Sequence, residues 1–308
     1  MKSEIKCLVC HSTKVKLLFP SVFVTATKKG NPPVNAGDYY RCLDCGVMFK
    51  DLDSLPMALS EYYKGVDSNY FGGLNASKRR KEQKMMHGLI FAKIKQGTIL
   101  DIGCGMGDFL STFDSTWEKW GVEPSENTRK SLESFQIKTQ ICEFLDAKLP
   151  ENYFDVVTMF DVAEHLTDPV KNFEKIKKIL KPNGLVLFAT PNMESAMAKL
   201  TGRYWRHFNT VEHIVFFSPK TLRRFLEPLG FTDFVSKEYD YSHSIKQNLI
   251  SFFKFGFLIF KIIFVKMLEL IEKILPVKLI NKLPPFYYPV LRFPWFFDFF
   301  CLRATLKP

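Results

Sequence analysis

The sequence predicts an α/β domain built on a largely parallel β-sheet. From Thr98 onward, short apolar runs alternate with amphipathic stretches, which is the pattern of repeated strand–helix–strand units. The first of these runs leads into a glycine-rich turn at residues 103–107, a connection typical of a strand that feeds a helix. The chain has 308 residues, of which 46% are hydrophobic, so it can bury one large core and carry a small satellite domain.

The positions of the elements follow from the apolar runs and from the residues that break them. Predicted strands cover residues 98–102, 117–122, 138–142, 154–160, 184–190, 231–239 and 298–306, and predicted helices cover 107–114, 125–135, 170–180 and 219–229. Pro182 and Gly184 follow the third helix and stop it. Ser218 caps the fourth helix, and Pro219 suits its first turn.

Composition divides the chain into five segments. Residues 1–50 hold two pairs of cysteines, and residues 51–95 are polar and tyrosine-rich, then basic, which predicts a connector or lid. Residues 96–245 form the α/β domain, residues 246–297 an apolar insertion, and residues 298–308 the last strand of the sheet. The first residues lack the apolar stretch of a secretory signal, so a cytoplasmic, reducing location is expected.

The paired cysteines predict a metal site. Cys7 and Cys10 are separated by two residues, as are Cys42 and Cys45, and 31 residues lie between the pairs. Two such knuckles bring four thiolates into the tetrahedron that zinc prefers, and four sulfurs leave no open coordination position. A structural zinc ribbon is therefore expected over residues 1–50. The three other cysteines have no such spacing and are predicted to be core residues: Cys104, Cys142 and Cys301.

The apolar insertion is long enough to span a bilayer, but its charges argue against spanning. Lys254, Lys261, Lys266 and Glu269 fall inside the apolar run 249–275. The net charge of +11 is also concentrated at the two ends, because residues 1–50 hold 8 basic and 3 acidic residues and residues 246–308 hold 10 and 3. An interfacial helix with snorkelling lysines is the preferred interpretation of this segment. Packing against the domain or against a second subunit is the alternative.

Three acidic or glycine-containing positions at predicted strand ends indicate a nucleoside ligand. Residues 99–109 read ILDIGCGMGDF, so a strand runs into Gly103, Gly105 and Gly107. The dinucleotide fingerprint needs its third glycine one place later, where Asp108 stands, and this disfavours a pyrophosphate ligand. Glu123 ends the next strand and could accept both ribose hydroxyls. Glu143 with Phe144 could take the adenine amino group and pack on the ring.

These residues resemble the class I S-adenosylmethionine-dependent methyltransferases over about residues 96–240. FDVVTMFDVAEHLTDP at 154–169, LKPNGLVLFATPN at 180–192 and the helix ending before Gly230 and Phe231 match that family in order and spacing. The resemblance implies a Rossmann-like, seven-stranded methyltransferase sheet. It also implies that Asp101 and the 103–107 turn hold the methionine part of S-adenosylmethionine, Glu123 the ribose, and Glu143 with Phe144 the adenine. Asp161 is a further cofactor-binding candidate.

Catalysis by such an enzyme needs a positioned acceptor, and a base if the acceptor is a hydroxyl. His165 is the first candidate base, His213 the second and His207 a poorer third. Asp161, Glu164 and His165 are similar to a proposed divalent-metal site in the quinone-biosynthesis O-methyltransferases, which carries Glu at the first position. The alternative is that Glu164 and His165 cap the following helix and pack against the cofactor.

The expected function is methyl transfer from S-adenosylmethionine to a small-molecule, sugar or lipid-linked acceptor, at a hydroxyl. A zinc module ahead of this domain resembles bacterial enzymes that modify sugars or surface polysaccharides. An RNA-directed methyltransferase, a non-catalytic zinc-ribbon adaptor and a nicotinamide oxidoreductase are the alternatives. No Asn-Pro-Pro-Tyr-type motif follows the fourth strand, which disfavours a DNA amino-methylase. No arrangement of aromatic residues in the zinc module indicates base stacking, so a nucleic-acid partner is not expected. Peripheral attachment to the cytoplasmic membrane face through residues 249–297 is expected.

Overall fold

The computed structural model describes residues 4–20, 23–24, 34–35, 37–54, 76–208, 210–239 and 299–308, together with Met267 and Leu270. The strands of this part are β1 (Val15–Phe19), β2 (Phe23–Val24), β3 (Val34–Asn35), β4 (Tyr39–Cys42), β5 (Met48–Lys50), β6 (Gly97–Ile102), β7 (Trp117–Val122), β8 (Lys138–Gln140), β9 (Phe154–Phe160), β10 (Leu180–Pro191), β11 (Val215–Phe216), β12 (Phe231–Tyr239) and β13 (Phe299–Leu306). The α-helices are α1 (Ala76–Phe91), α2 (Arg129–Ser134), α3 (Pro169–Ile179), α4 (Ala196–Thr201) and α5 (Pro219–Leu226).

Seven strands form the main sheet, in the order β12-β13-β10-β9-β6-β7-β8. β6 to β10 are mutually parallel, and β13 lies antiparallel between β10 and β12. This confirms the predicted Rossmann-like sheet, including a last strand that enters antiparallel. The strand order reverses between β6 and β9, so a crevice for a ligand opens at the carboxyl ends of these strands.

Both faces of the main sheet are covered, because successive residues of the central strands enter different cores. Val157 and Phe188 join a cluster with Phe173 of α3, whereas their neighbours in sequence on β9 and β10 join a cluster with Ile90 of α1. Side chains alternate between the two faces of a strand, so near-continuous apolar runs are what a doubly covered sheet requires.

The helix predicted at 107–114 is wrong. Only a 3-10 turn, Leu110–Thr112, is found there. Gly107 is the first residue of the predicted helix. Its φ of 82° lies in the left-handed region, which a right-handed α-helix does not use. The hydroxyls of Ser111 and Thr112 then donate to the backbone carbonyls of Asp108 and Phe109, which competes with helical hydrogen bonding.

The cysteine-bearing segment shares a sheet and a core with the α/β domain. A second sheet has the order β1-β4-β5-β11. Its first three strands belong to residues 1–50, whereas β11 belongs to the α/β domain. Val215 pairs with Phe49 and Phe216 with Met48 in antiparallel register. Phe49 also lies in one hydrophobic cluster with Leu222 of α5. The N-terminal segment is thus joined to the domain by strand pairing.

Two predicted segments lie largely outside the described residues. Of the connector 51–95, only residues 51–54 and those from 76 onward are described. Of the insertion 246–297, only Met267 and Leu270 are described; both are helical and are 47% and 58% exposed. Within the described ranges, no helix combines the length and apolarity needed to cross a membrane.

Candidate active site

The glycine turn at the carboxyl end of β6 is packed too closely for side chains at two of its positions. Gly103, Gly105 and Gly107 have φ values of 71°, 51° and 82°. A Cβ atom on Gly103 would lie 2.4 Å from Val162 Cγ2, and one on Gly107 would lie 2.7 Å from Ile137 Cδ1. The turn therefore needs glycine for both its backbone conformation and its packing.

Asp101 lies in β6, next to the turn. Its side chain is buried, and its Oδ1 atom accepts a hydrogen bond from Thr158 Oγ1 of β9 at 2.6 Å. Burial raises the pKa of Asp101 to about 7. A cationic group placed beside this carboxyl would stabilise its ionised form. Thr158 was missed by the sequence analysis, since its partnership depends on the β6–β9 register.

Glu123 connects the glycine turn to the loop that follows β7. The side chain is buried; Oε2 accepts from the backbone N–H of Gly105 at 3.0 Å, and Oε1 accepts from that of Ser125 at 3.0 Å. Burial raises the pKa of this carboxyl. Each carboxylate oxygen has further lone pairs, so two hydroxyls of a ligand could still be accepted.

The Glu143–Phe144 segment is fixed by a lysine of α3. Lys175 Nζ donates to the carbonyls of Phe144 at 2.6 Å, Leu145 at 3.0 Å and Ala147 at 2.6 Å. The same ammonium lies 4.9 Å from the centre of the Phe144 ring. Phe144 is buried and Glu143 is exposed. Lys175 was not predicted, because nothing in sequence separates it from its solvent-facing lysine neighbours.

Asp161 and Glu164 follow β9 in a strained turn. Asp161 has φ 56°, a left-handed conformation that is uncommon for a residue with a side chain, and its N–H donates to Ala189 O at 2.8 Å. Glu164 is buried and accepts from Thr190 Oγ1 of β10 at 2.8 Å. Burial, and then the charge of Asp161, raise the pKa of Glu164 well above its usual range.

His165 and His213 lie side by side although 47 residues separate them. Their ring centres are 4.9 Å apart with an interplanar angle of 75°. His165 Nδ1 hydrogen-bonds Glu212 O at 2.9 Å, and His213 Nδ1 hydrogen-bonds His207 O at 3.0 Å. A carbonyl only accepts, so each Nδ1 carries a proton and each Nε2 carries the lone pair. Burial lowers the pKa of His165 to about 4 and that of His213 well below its usual range.

The histidines adjoin the place where the apolar insertion leaves and re-enters the sheet. Tyr239 ends β12, Phe299 begins β13, and the two residues pair in register. Phe299 packs edge-on against His207 at 5.0 Å, and the ring of His207 stacks on that of His213 at 5.5 Å. The base of the insertion therefore touches the histidine cluster.

A metal could bind at this cluster with a ligand set different from the predicted one. Ligand atoms of Glu164, His165 and His213 all lie within 4.8 Å of one another. The predicted triad used Asp161 instead of His213. Because each Nδ1 is engaged by a carbonyl, Nε2 would be the ligand atom of both rings.

The four cysteines converge as a tetrahedral donor set requires. Cys7 Sγ lies 3.6 Å from Cys45 Sγ, Cys10 Sγ lies 3.4 Å from Cys42 Sγ, and all four sulfurs lie within 4.8 Å of one another. Backbone N–H groups donate to Cys7 Sγ from Val9 at 3.4 Å and to Cys42 Sγ from Cys45 at 3.5 Å. Such bonds stabilise thiolates, so the donor set fits zinc.

The sheet order and the buried acids beside the glycine turn are typical of α/β proteins that bind nucleosides. Comparison with known proteins identifies the family. Residues 77–235 match the family described as "Methyltransferase domain". This match covers half of the chain, so the chain belongs to that family and is a class I S-adenosylmethionine-dependent methyltransferase.

Individual relatives cover smaller parts of the chain. An uncharacterized methyltransferase of Schizosaccharomyces pombe is 33% identical over 151 residues, which are 44% of this chain and 53% of that protein. A ubiquinone biosynthesis O-methyltransferase of Hydrogenovibrio crunogenus is 31% identical over 110 residues, 33% of this chain and 46% of that protein. The chain thus spans about half the length of these relatives.

A solved chain from the complex between the Haloferax volcanii Trm112 methyltransferase activator and a methyltransferase has the same fold. It superposes with a TM-score of 0.50 at 14% identity, over 75% of this chain and 92% of that one.

Proposed function

We propose that this methyltransferase transfers a methyl group to a hydroxyl of a small-molecule, sugar or lipid-linked acceptor. The observation that carries this proposal is the contact between two neutral imidazoles, His165 and His213. His165 follows β9 closely, and Val162, three residues before it, lies against Gly103 of the glycine turn. A hydroxyl needs a base, and burial keeps both imidazoles neutral, so that Nε2 of either ring could accept a proton. The relative from Hydrogenovibrio crunogenus is named an O-methyltransferase, which agrees with a hydroxyl acceptor.

Bound S-adenosylmethionine would supply a methyl group already activated by its sulfonium. Asp101 and Glu123 would hold the amino and ribose groups, Glu143 and Phe144 the adenine. The Nε2 atom of one histidine would take the hydroxyl proton as the oxygen bonds to the methyl carbon. The imidazole would then hold that proton, and S-adenosylhomocysteine would be the by-product of the methyl transfer.

Substitution of the histidines tests this assignment. Small molecules that co-purify would be identified by mass spectrometry, and labelled-methyl transfer would then be measured on lipid and sugar fractions. We expect His165→Ala or His213→Ala to lower turnover by about 100- to 10,000-fold, the usual contribution of a general base. His11→Asn, at an exposed ribbon position, is the control. Unchanged turnover in both alanine variants would remove the histidines as bases.

The four-cysteine cluster is assigned to a structural zinc ion. Four sulfur ligands close the coordination shell, so this metal takes no part in methyl transfer. Its stabilising role follows from the small core that residues 1–50 could build without it.

The acceptor is proposed to be amphiphilic, presented at the cytoplasmic face of a membrane. The insertion 249–297 is apolar and basic in sequence, and its base at Tyr239 and Phe299 touches the histidine cluster through His207. Apolar side chains in such numbers need cover by lipid, by the protein or by a partner. Lipid cover would bring an acceptor anchored in the membrane directly to the site.

Vesicle flotation separates these possibilities. The wild-type protein is expected to float with anionic liposomes at low salt and less at high salt. A variant lacking residues 249–275 should not float. The triple variant Lys254→Gln/Lys261→Gln/Lys266→Gln should lose the part of the liposome binding that high salt also removes. Wild-type protein that stays monomeric and unbound without detergent would contradict membrane attachment and favour internal packing.

A further inference from the structure

Lys50, the last residue of β5, is buried beneath the segment 210–214, which carries His213. Its side chain is 0% exposed. Lys50 Nζ donates to the backbone carbonyl of Thr210 and, at 3.3 Å, to that of Val211. Its backbone N–H donates to Ile214 O at 2.8 Å. One ribbon residue therefore holds both ends of the segment 210–214.

The next carbonyl along the chain, that of Glu212, orients His165. Lys50 engages the carbonyls of residues 210 and 211, and the carbonyl of Glu212 meets His165 Nδ1 at 2.9 Å. His213 follows directly. Because consecutive peptide planes are linked by only two rotatable bonds, fixing two carbonyls restricts the direction of the third. The Lys50 ammonium thus limits where the His165 ring can lie.

A buried ammonium is costly unless its surroundings compensate it. Burial lowers the pKa of Lys50 to about 7, and the charge of the buried Glu212 carboxyl opposes this shift. The centre of the Tyr39 ring also lies 5.1 Å from Nζ. Among the described residues, no hydrogen-bond partner reaches Glu212 Oε2. A methionine would fill this volume without the cost, so packing alone does not explain a lysine here.

A second donor from the ribbon sheet acts on the backbone just before the segment 210–214. The Tyr39 hydroxyl, from β4, donates to the carbonyl of Phe208. The neighbouring His207 carbonyl is the partner of His213 Nδ1. The ribbon therefore holds the backbone next to both carbonyls that orient the two imidazoles.

We propose that Lys50 is a positioning residue for the His165–His213 pair, so that the cysteine-bearing ribbon is part of the catalytic machinery of the methyltransferase domain. The catalytic meaning of this inference rests on the proposed role of the histidines. The geometric part, that Lys50 sets the orientation of the two rings, stands independently of it.

The test compares Lys50→Met with Lys16→Met, a control at an exposed position of β1. The readout is the ¹⁵N spectrum of histidine-labelled full-length protein, assigned with His165→Gln and His213→Gln, together with zinc content and S-adenosylmethionine affinity. We expect Lys50→Met to shift the ring-nitrogen signals of His165 and His213. Zinc content and cofactor affinity, within about twofold, should stay as in the wild type.

Turnover with an identified acceptor should fall about 10- to 100-fold in Lys50→Met, the effect of misplacing a reacting group. A folded Lys50→Met protein whose two histidine signals match those of the wild type would overturn the inference. Should this variant not fold, Lys50→Gln and Tyr39→Phe give the same comparison, and unchanged signals in both would also overturn it. If instead His165→Ala and His213→Ala retain turnover, the base assignment fails while the spectral effect of Lys50 remains.

Discussion

Glu123→Gln is the sharpest perturbation of the cofactor site, because the carboxylate is held by backbone groups on both sides. Gly105 N–H donates to one oxygen and Ser125 N–H to the other, each at 3.0 Å. Glutamine keeps one acceptor oxygen but turns an NH2 group toward the second N–H. The variant therefore loses one hydrogen bond to a charged group and gains a contact between two donors.

The number of hydrogen bonds lost sets the expected change in S-adenosylmethionine affinity. A hydrogen bond to a charged group contributes about 1.5–3 kcal/mol. Loss of one bond from the ribose hydroxyls would weaken S-adenosylmethionine binding by that amount. At about 1.4 kcal/mol for each tenfold change, the Kd should rise roughly 10- to 150-fold. Loss of the Gly105 contact would also loosen the glycine turn and weaken binding further. The Kd should therefore rise at least tenfold.

Calorimetric titration with S-adenosylmethionine measures the Kd directly and needs no acceptor. Glu118→Gln is the matched control, since Glu118 lies on β7, the strand that Glu123 directly follows, but pairs with exposed Lys138. Its Kd should change less than twofold. A folded Glu123→Gln protein that binds S-adenosylmethionine as the wild type does would refute the assignment of Glu123 to the ribose.

Three further predictions address the adenine loop, the zinc and the response to pH. Lys175→Met should raise the Kd for S-adenosylmethionine about tenfold, because three carbonyls lose their donor, whereas Lys171→Met on the same helix should not. Metal analysis should find one zinc per chain, and a protein with neither zinc nor iron and with four free ribbon thiols would contradict the site. Burial lowers the pKa of His165 to about 4, so between about pH 6.5 and 4 the unfolded state binds more protons and the free energy of unfolding falls as pH falls. Thermal melts from pH 7 to 5 should show a smaller loss of stability in His165→Gln than in the wild type, and equal slopes would contradict the shift.

The seven-stranded sheet was predictable because its strands are short apolar runs bounded by strong breakers. The strand 231–239 was predicted with the bounds that the structure has, since Gly230, at φ 97°, ends the preceding turn. The helix predicted at 107–114 was wrong because the apolar spacing there is that of a helix, whereas Gly107 adopts a left-handed conformation that a helix cannot contain. The pairing of β11 with β5 left no mark in sequence, since a two-residue strand is too short to show alternation.

The candidate cofactor residues fall where parallel strands end, and a strand end is visible in sequence. Glu123 and Glu143 were predicted by that rule, and Asp101 was predicted from the resemblance to class I methyltransferases. Lys50, Thr158 and Lys175 were not, because their roles depend on side chains that meet across elements far apart in the chain. A lysine in a charged stretch gives no sign that it is buried, and only tertiary contacts distinguish Lys175 from Lys171.

The polar groups of this site share one physical trait: their partners are largely backbone atoms. Glu123 is held by two N–H groups, Lys175 and Lys50 by carbonyls, and each histidine by one carbonyl. A backbone partner is indifferent to which side chain its own residue carries, provided that the local conformation is kept. The identity of Thr210 or Val211 should therefore matter little, while a change that alters the path of the backbone between Phe208 and Ile214 would reach both imidazoles. We propose that the ribbon acts on that path while the histidines carry the chemistry, so that a module without an open metal position would still matter for methyl transfer.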